Sequence, residues 1–386
     1  MPVTVTNNTS VSLNSYQVKI TINTAALISA GKMISTGDDI RFIDANSCNN
    51  LNYWIESGIN TSNTVIWVKL NSLPSSAARV ITMYYGNSAA SSASNGDSTF
   101  ILFDDFNGSS LNTSKWNTYT GGGSITQTGG QLYFSATSGI HNFATICSKS
   151  AFSVPLFVES LITSASGYYP SIAILNSNTF SGYALTYNDS NNNDEMLIFK
   201  ATSKGGTFGG GQDIAQTNPG TLTGLWQLSW PSTNVQIGTW PGGTINSAMS
   251  YVTPSTTVNI AAGMLYSGVG SLTMDWIRAR NYASSEATTA AGQEHNRAGI
   301  DNQYSDNSIS IYPNPAHDEI NIDLSSNSAD LQSLQIIDMN GRCIKTIEIP
   351  GVKSNIAVSS QDFVKGLYII RLTGKENTFV QKVLIQ

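Results

Sequence analysis

The side chains best suited to chemistry in this chain are a few carboxylates. Asp104 and Asp105 sit in the run ILFDDF, and Asp275 lies in SLTMDWIRAR. If those two runs pair as neighbouring strands, the three carboxylates converge. Hard oxygen ligands of that kind suit a structural Ca²⁺, with Asn107 or nearby carbonyls completing the shell. The alternative is turn-capping by the aspartates, with Asp275 paired to Arg278 or Arg280. A second acidic stretch, NDSNNNDE at Asn188–Glu195, has the spacing of a calcium loop. Asp194 stands where the sharp turn requires glycine, and no glutamate closes the loop, so it reads as a solvated hairpin loop.

Aromatic rings offer the other chemistry, because an exposed ring face can stack on a sugar. In LTGLWQLSW, period two puts Leu222, Trp226, Leu228 and Trp230 on one strand face. Core filling is the favoured reading for Trp226 and Trp230, as it is for Trp54 and Trp67. Trp240, followed by Pro241, Gly242 and Gly243, reads as the best exposed platform. The candidate ligand-binding set is Trp240, Tyr168, Tyr169 and Trp230.

Catalytic patterns are missing. The three histidines, His141, His295 and His317, lie in no nucleophile or zinc motif. Glu159 in FVESLIT has no partner carboxylate at glycosidase spacing. The glycine run KGGTFGGGQD lacks the ending of a phosphate loop. Cys48, Cys147 and Cys343 are far apart and read as three small buried thiols, a Cys48–Cys147 bridge being the alternative.

The elements that must position these residues are strands. Short β-branched runs with period-two alternation dominate, and no segment holds a helical period. Strands are expected at Tyr16–Asn23, Asp39–Asp44, Asn52–Glu56, Thr64–Leu70 and Arg79–Tyr85, forming a small β-sandwich over residues 1–88. Residues 87–98 (NSAASSASNGDS) read as a linker. Ten or more further strands over residues 100–285 predict a larger jelly roll. Residues 286–307 read as a flexible linker. Residues 308–386 form a third sandwich, in which Asn340–Gly341 signals a hairpin. The fold class is all-β, with three sandwiches in series.

Composition narrows the partners. Charged residues are 11% of the 386 and the net charge is −6, so nothing attracts a phosphate backbone. No apolar run approaches the roughly 20 residues that span a bilayer. The opening MPVTVTNNTS is not a signal peptide.

Three resemblances follow. The order YPNP, EINIDL, LQIIDMNGRCIKT, GLYIIRL and TFVQKVLIQ resembles the C-terminal sorting domain (type A) of type IX secretion cargo of the Bacteroidota. That resemblance implies export across the outer membrane, handling by the type IX machinery through residues 308–386, and release or surface attachment. It also implies an N-terminal export signal, so the chain is expected to be a mature or trimmed form. YQVKITINTAALISAGKM, DDIRFID, LNYWIES, VIWVKL and ITMYYGN resemble domain-of-unknown-function family 2341, which has no established chemistry. FDDFNGSSLNTSKW and SLTMDWIRARNYASSE look like the two ends of a concanavalin-like, laminin-G-like jelly roll, a fold of glycan- or protein-binding modules and some glycosidases.

The expected function is a secreted or cell-surface binding protein that recognises a glycan or a surface partner. A structural subunit of an extracellular fibre or surface layer, assembling with copies of itself, is the alternative. A glycoside hydrolase ranks below both.

Overall fold

The computed structural model describes the chain except residues 46, 48, 138–142, 178–180, 191–192, 202–211, 233–234, 248–256, 266–267, 295–309, 325–330, 340, 350–353 and 375–377. It is almost entirely β, as the alternation predicts.

The N-terminal sandwich has an inner sheet of Leu13–Ile22, Thr64–Leu73 and Tyr53–Ser57. Its outer sheet runs in the order Thr288–Ala291, Pro2–Thr6, Ala78–Tyr84, Arg41–Asp44, Asn50–Leu51. Val18, Ile20, Ile66, Val68, Phe42 and Ile81 meet between the two. A short helix, Thr24–Ser29, escapes the strand reading; the Asn23 side chain caps it by accepting from the Ala26 N–H.

The first expected linker, and residues 286–294 of the second, are more ordered than their composition suggests; residues 295–307 lie outside the described residues. Along the first, Ser94 Oγ accepts from the Ile55 N–H and Ser91 O accepts from Arg41 Nη2. Asn95 donates its N–H to Tyr53 O and caps the turn Gly96–Thr99. In the second, Thr288–Ala291 pairs antiparallel with Pro2–Thr6, Val3 opposite Ala291. An added edge strand is held by backbone hydrogen bonds and needs no apolar pattern, so composition could not reveal it.

The jelly roll follows. Its back sheet holds Gly123–Thr128, Gln131–Ala136, Gly270–Asn281, the first section of Leu156–Asn176, then Gly224–Ser232, Val235–Trp240 and Gly243–Ser247. Leu102–Asp104 joins the edge of Gly270–Asn281. Its front sheet holds Trp116–Gly121, Phe143–Ser148, Thr257–Met264, the last section of Leu156–Asn176, Ser181–Ser190, Asn193–Ala201 and Gln212–Thr217. The strand Leu156–Asn176 therefore passes from one sheet to the other, and Phe134, Val158, Ile174, Trp226, Ile260 and Leu272 fill the space between. Asn188–Glu195 lies between two front-sheet strands as expected, but it is not a solvated loop. Asn188 pairs with Glu195, Asp189 with Asp194 and Ser190 with Asn193, and Asn188 and Glu195 are buried; residues 191–192 lie outside the described residues.

The C-terminal sandwich pairs Ser310–Tyr312, Glu319–Asp323 and Asn355–Ser359 against a sheet of Cys343–Glu348, Leu331–Asp338, Gly366–Gly374 and Thr378–Ile385. The predicted hairpin forms, with Gly341 at φ 75° donating to Asp338 O; Asn340 lies outside the described residues. The expectation of three buried thiols needs correction. Cys147 is free and buried, burial pushing its thiol up to about 12, whereas Cys343 is disulfide-bonded. Cys48 lies outside the described residues.

Candidate functional site

The candidate glycan platform shrinks from four residues to two. Trp240 is 3% exposed and donates its indole N–H to Pro219 O at 2.5 Å, which corrects its reading as a surface ring. Its turn folds inward because Gly242 has no side chain: a Cβ there would lie 2.0 Å from Pro219 O. Trp230 is likewise core, edge-on to Tyr183 at 5.0 Å, and Trp226 is fully buried with its N–H on Leu222 O.

Tyr168 and Tyr169 stay half-buried, at the point where the long strand changes sheets. A bulge between Tyr168 and Ser171 interrupts the pairing, and Tyr169 takes φ 58°, a left-handed conformation rare for an aromatic residue. The Tyr169 ring lies 5.8 Å from that of Phe199 and packs, with Tyr119, against Cys147, Ala173, Ala184 and Ala261. Those small residues belong to the front-sheet face that points away from the core. The bulge thus brings two neighbouring tyrosines to one end of that face.

The carboxylates are arranged otherwise than a metal shell requires. Leu102–Asp104 pairs with Gly270–Asn281, Asp104 opposite Ile277, so the expected strands do meet. Asp104, however, is buried, and both its oxygens are taken: Oδ2 accepts from Trp116 Nε1 at 2.7 Å and Oδ1 from the Phe106 N–H at 3.0 Å. Burial raises its carboxyl, those N–H groups opposing. Burial also raises Asp275; the Gln131 side chain opposes this and the Asp105 charge adds to it. Among the described residues no group of three His, Cys, Asp or Glu side chains is placed to hold a metal ion. Asp104, Asp105 and Asp275 do not fit a shared Ca²⁺, and Asp104 acts as the turn cap.

Arg278 and Arg280 serve Glu159, the lone glutamate of the sequence motif FVESLIT, rather than Asp275. Arg278 Nε reaches its Oε2 at 2.6 Å, and Arg280 Nη2 its Oε1 at 2.9 Å; Gln227 donates to the same oxygen. Burial alone would raise this carboxyl, but the two guanidiniums hold it well below the usual carboxylate range. The network crosses to the N-terminal sandwich. Arg278 Nη1 meets Glu56 at 2.6 Å, Trp67 donates to the same Glu56 oxygen, and Arg280 bonds Glu286, which also accepts from Tyr16. Arg278 lies between the Trp67 and Trp276 rings, 4.3 Å from each, with Trp54, Phe100 and Phe103 around them. The back sheet of the jelly roll is thereby welded to the inner sheet of the first sandwich. Sequence reasoning read Trp54 and Trp67 as core; they are core between domains, a distinction that period two cannot make.

Comparison with known families gives two matches. Residues 36–119 match a domain of unknown function (DUF2341), and residues 310–386 match the secretion system C-terminal sorting domain. The sorting tail marks the protein as type IX secretion cargo, located outside the cell or on its outer surface. No described helix is long and apolar enough to cross a membrane. No curated protein matches. Among solved structures, the chain is similar to LamAcat from Zobellia galactanivorans (15% identity, 48% of this chain, 100% of that one, TM-score 0.36). It is similar also to the β-glucanase of Bacillus licheniformis (14%, 47% and 98%, TM-score 0.34) and to a legume lectin-like domain from Entamoeba histolytica (11%, 44% and 91%, TM-score 0.32).

Proposed function

We propose that this secreted protein is a binding module whose jelly roll recognises a glycan or a glycan-bearing surface partner through the tyrosine end of its front sheet. The observation that carries the reading is the left-handed Tyr169 in a strand bulge beside Tyr168. A bulky residue held at positive φ costs energy, and such strain persists where a side chain must be aimed. Binding without hydrolysis fits the same picture, because Glu159 is committed to two arginines and is unavailable as an acid or nucleophile. A glycan array tests the reading. Tyr168→Ala and Tyr169→Ala should each weaken binding by about 1 kcal/mol per lost ring contact, with no release of reducing sugar by the intact protein. Unchanged binding in both variants would sink it.

A structural subunit of a fibre or surface layer is the second reading, favoured by the ion pairs and stacked rings that join the two sandwiches. Negative-stain images of regular filaments would put it first.

A further inference from the structure

The back sheet shows two different outer faces on the same strands. Where the first sandwich covers it, the strand Gly270–Asn281 presents Trp276, Arg278 and Arg280. Past the irregularity at Leu161–Ser164, the same strand points Ser271 and Thr273 away from the core, which Leu272 and Met274 fill; Ser271 is half-buried and Thr273 is buried beneath its neighbours. The open region continues across four neighbouring strands in register. Ser124 stands beside Ser135, Ser135 beside Ser271, and Ser271 beside Ser166. One step along, Thr126, Tyr133, Thr273 and Ser164 line up in the same way. Neighbouring hydroxyls bond within the face, Ser124 to Ser135 at 2.8 Å and Ser166 to Ser271 at 2.9 Å, and Tyr133 donates to Gln131 at 2.8 Å. The Tyr133 ring is 37% exposed.

We propose that this open face is a second binding surface, and that its ligand is the flat, uncharged face of an insoluble polysaccharide. The ligand class rests on the glycan reading above, but the surface is a different one. A protein partner on this sheet has a visible signature next door, namely clustered aromatic rings and paired charges; the open ranks hold the single Tyr133 ring and no charge pair and would form a wet, weak protein interface. They also carry no charge to attract an ionic ligand, the nearest being Asp275 at their border. Ranks in which groups that both donate and accept stand about 4.8 Å apart suit ring hydroxyls presented as a plane, with Tyr133 as the stacking platform. A single soluble oligosaccharide would touch few of these groups, whereas an extended solid face makes many contacts at once.

The full chain is incubated with microcrystalline cellulose and, separately, with chitin powder, and depletion from solution is measured. Depletion by at least one powder is expected, with Tyr133→Ala weakening it about tenfold. Ser135→Lys should abolish it at unchanged Tm. Thr126→Lys, on the edge strand, is the second variant if Ser135→Lys melts early. Depletion that these variants leave untouched, or no depletion by either powder, overturns the proposal. Soluble-glycan binding that depends on Tyr168 or Tyr169 while neither powder depletes the protein would leave the function reading standing and remove only this surface. Concentration-dependent dimers lost in the same variants would assign the face to a second copy of the chain and overturn it as well.

Discussion

The covered and open halves of the back sheet's outer face differ although both are built from Gly270–Asn281 and Leu156–Asn176. The covered half buries Trp276, Arg278, Arg280 and Glu159; the open half shows serine, threonine and a half-exposed tyrosine. Unbroken alternation would put the two halves on opposite sides. The irregularity at Leu161–Ser164, where the pairing skips Asp275, shifts the phase by one residue and brings both to the outer side, and says nothing of what lies against them. Side-chain chemistry does. Rings stacked on guanidiniums mark a face that must be covered, because unpairing any member leaves a buried charge. Hydroxyl ranks are satisfied by one another and by solvent.

The largest break in this comparison is Arg278→Ala. It removes a partner from both Glu159 and Glu56 and should cost about 3–5 kcal/mol by chemical denaturation. A cost within experimental error would mean that the weld contributes little. Next, Trp276→Ala empties the stack around Arg278 and should cost about 3 kcal/mol, as large buried side chains do. Acid gives a graded version. Glu159 is held below its unfolded value, so its contribution is present above about pH 4.3 and declines as pH falls further toward the folded value. Tm should drop on that acid limb, and Glu159→Gln should start lower and flatten it; parallel limbs would place the acid sensitivity elsewhere. On the open half, Ser166→Lys should stay within about 0.5 kcal/mol of the parent, as exposed substitutions do. The smallest effect is set at the border between the halves. EDTA should leave the Tm unchanged, since both Asp104 oxygens are taken by the Phe106 N–H and Trp116 Nε1; a fall reversed by Ca²⁺ would restore the metal reading.

Alternation and turn signals made the all-β class and the turn within Asn188–Glu195 legible, whereas the pairing of Leu102–Asp104 with Gly270–Asn281 followed from the expected jelly roll and the sorting tail from its resemblance to a known family. What failed did so for physical reasons. Trp240 was misjudged because Pro-Gly-Gly signals a turn, while whether that turn faces water depends on Gly242 packing against Pro219, distant in sequence. The Arg278–Glu159–Glu56 weld joins residues more than a hundred positions apart, and no local pattern encodes that meeting. Thr288–Ala291 was hidden because an edge strand is held by its backbone.

That edge strand also decides how the body meets mechanical load. The chain leaves the welded pair of sandwiches just after Thr288–Ala291, where Glu294 engages Lys32 and Tyr85. Tension arriving along the chain at Glu294, rather than through the disulfide at Cys343, would reach the Glu294 clasp first and then the ladder between Thr288–Ala291 and Pro2–Thr6. It would enter at Ala291, the end of the ladder opposite Val3, so the bonds would break in succession rather than all together. The first sandwich would lose an edge strand while its core stayed closed, and the jelly roll would remain welded in place.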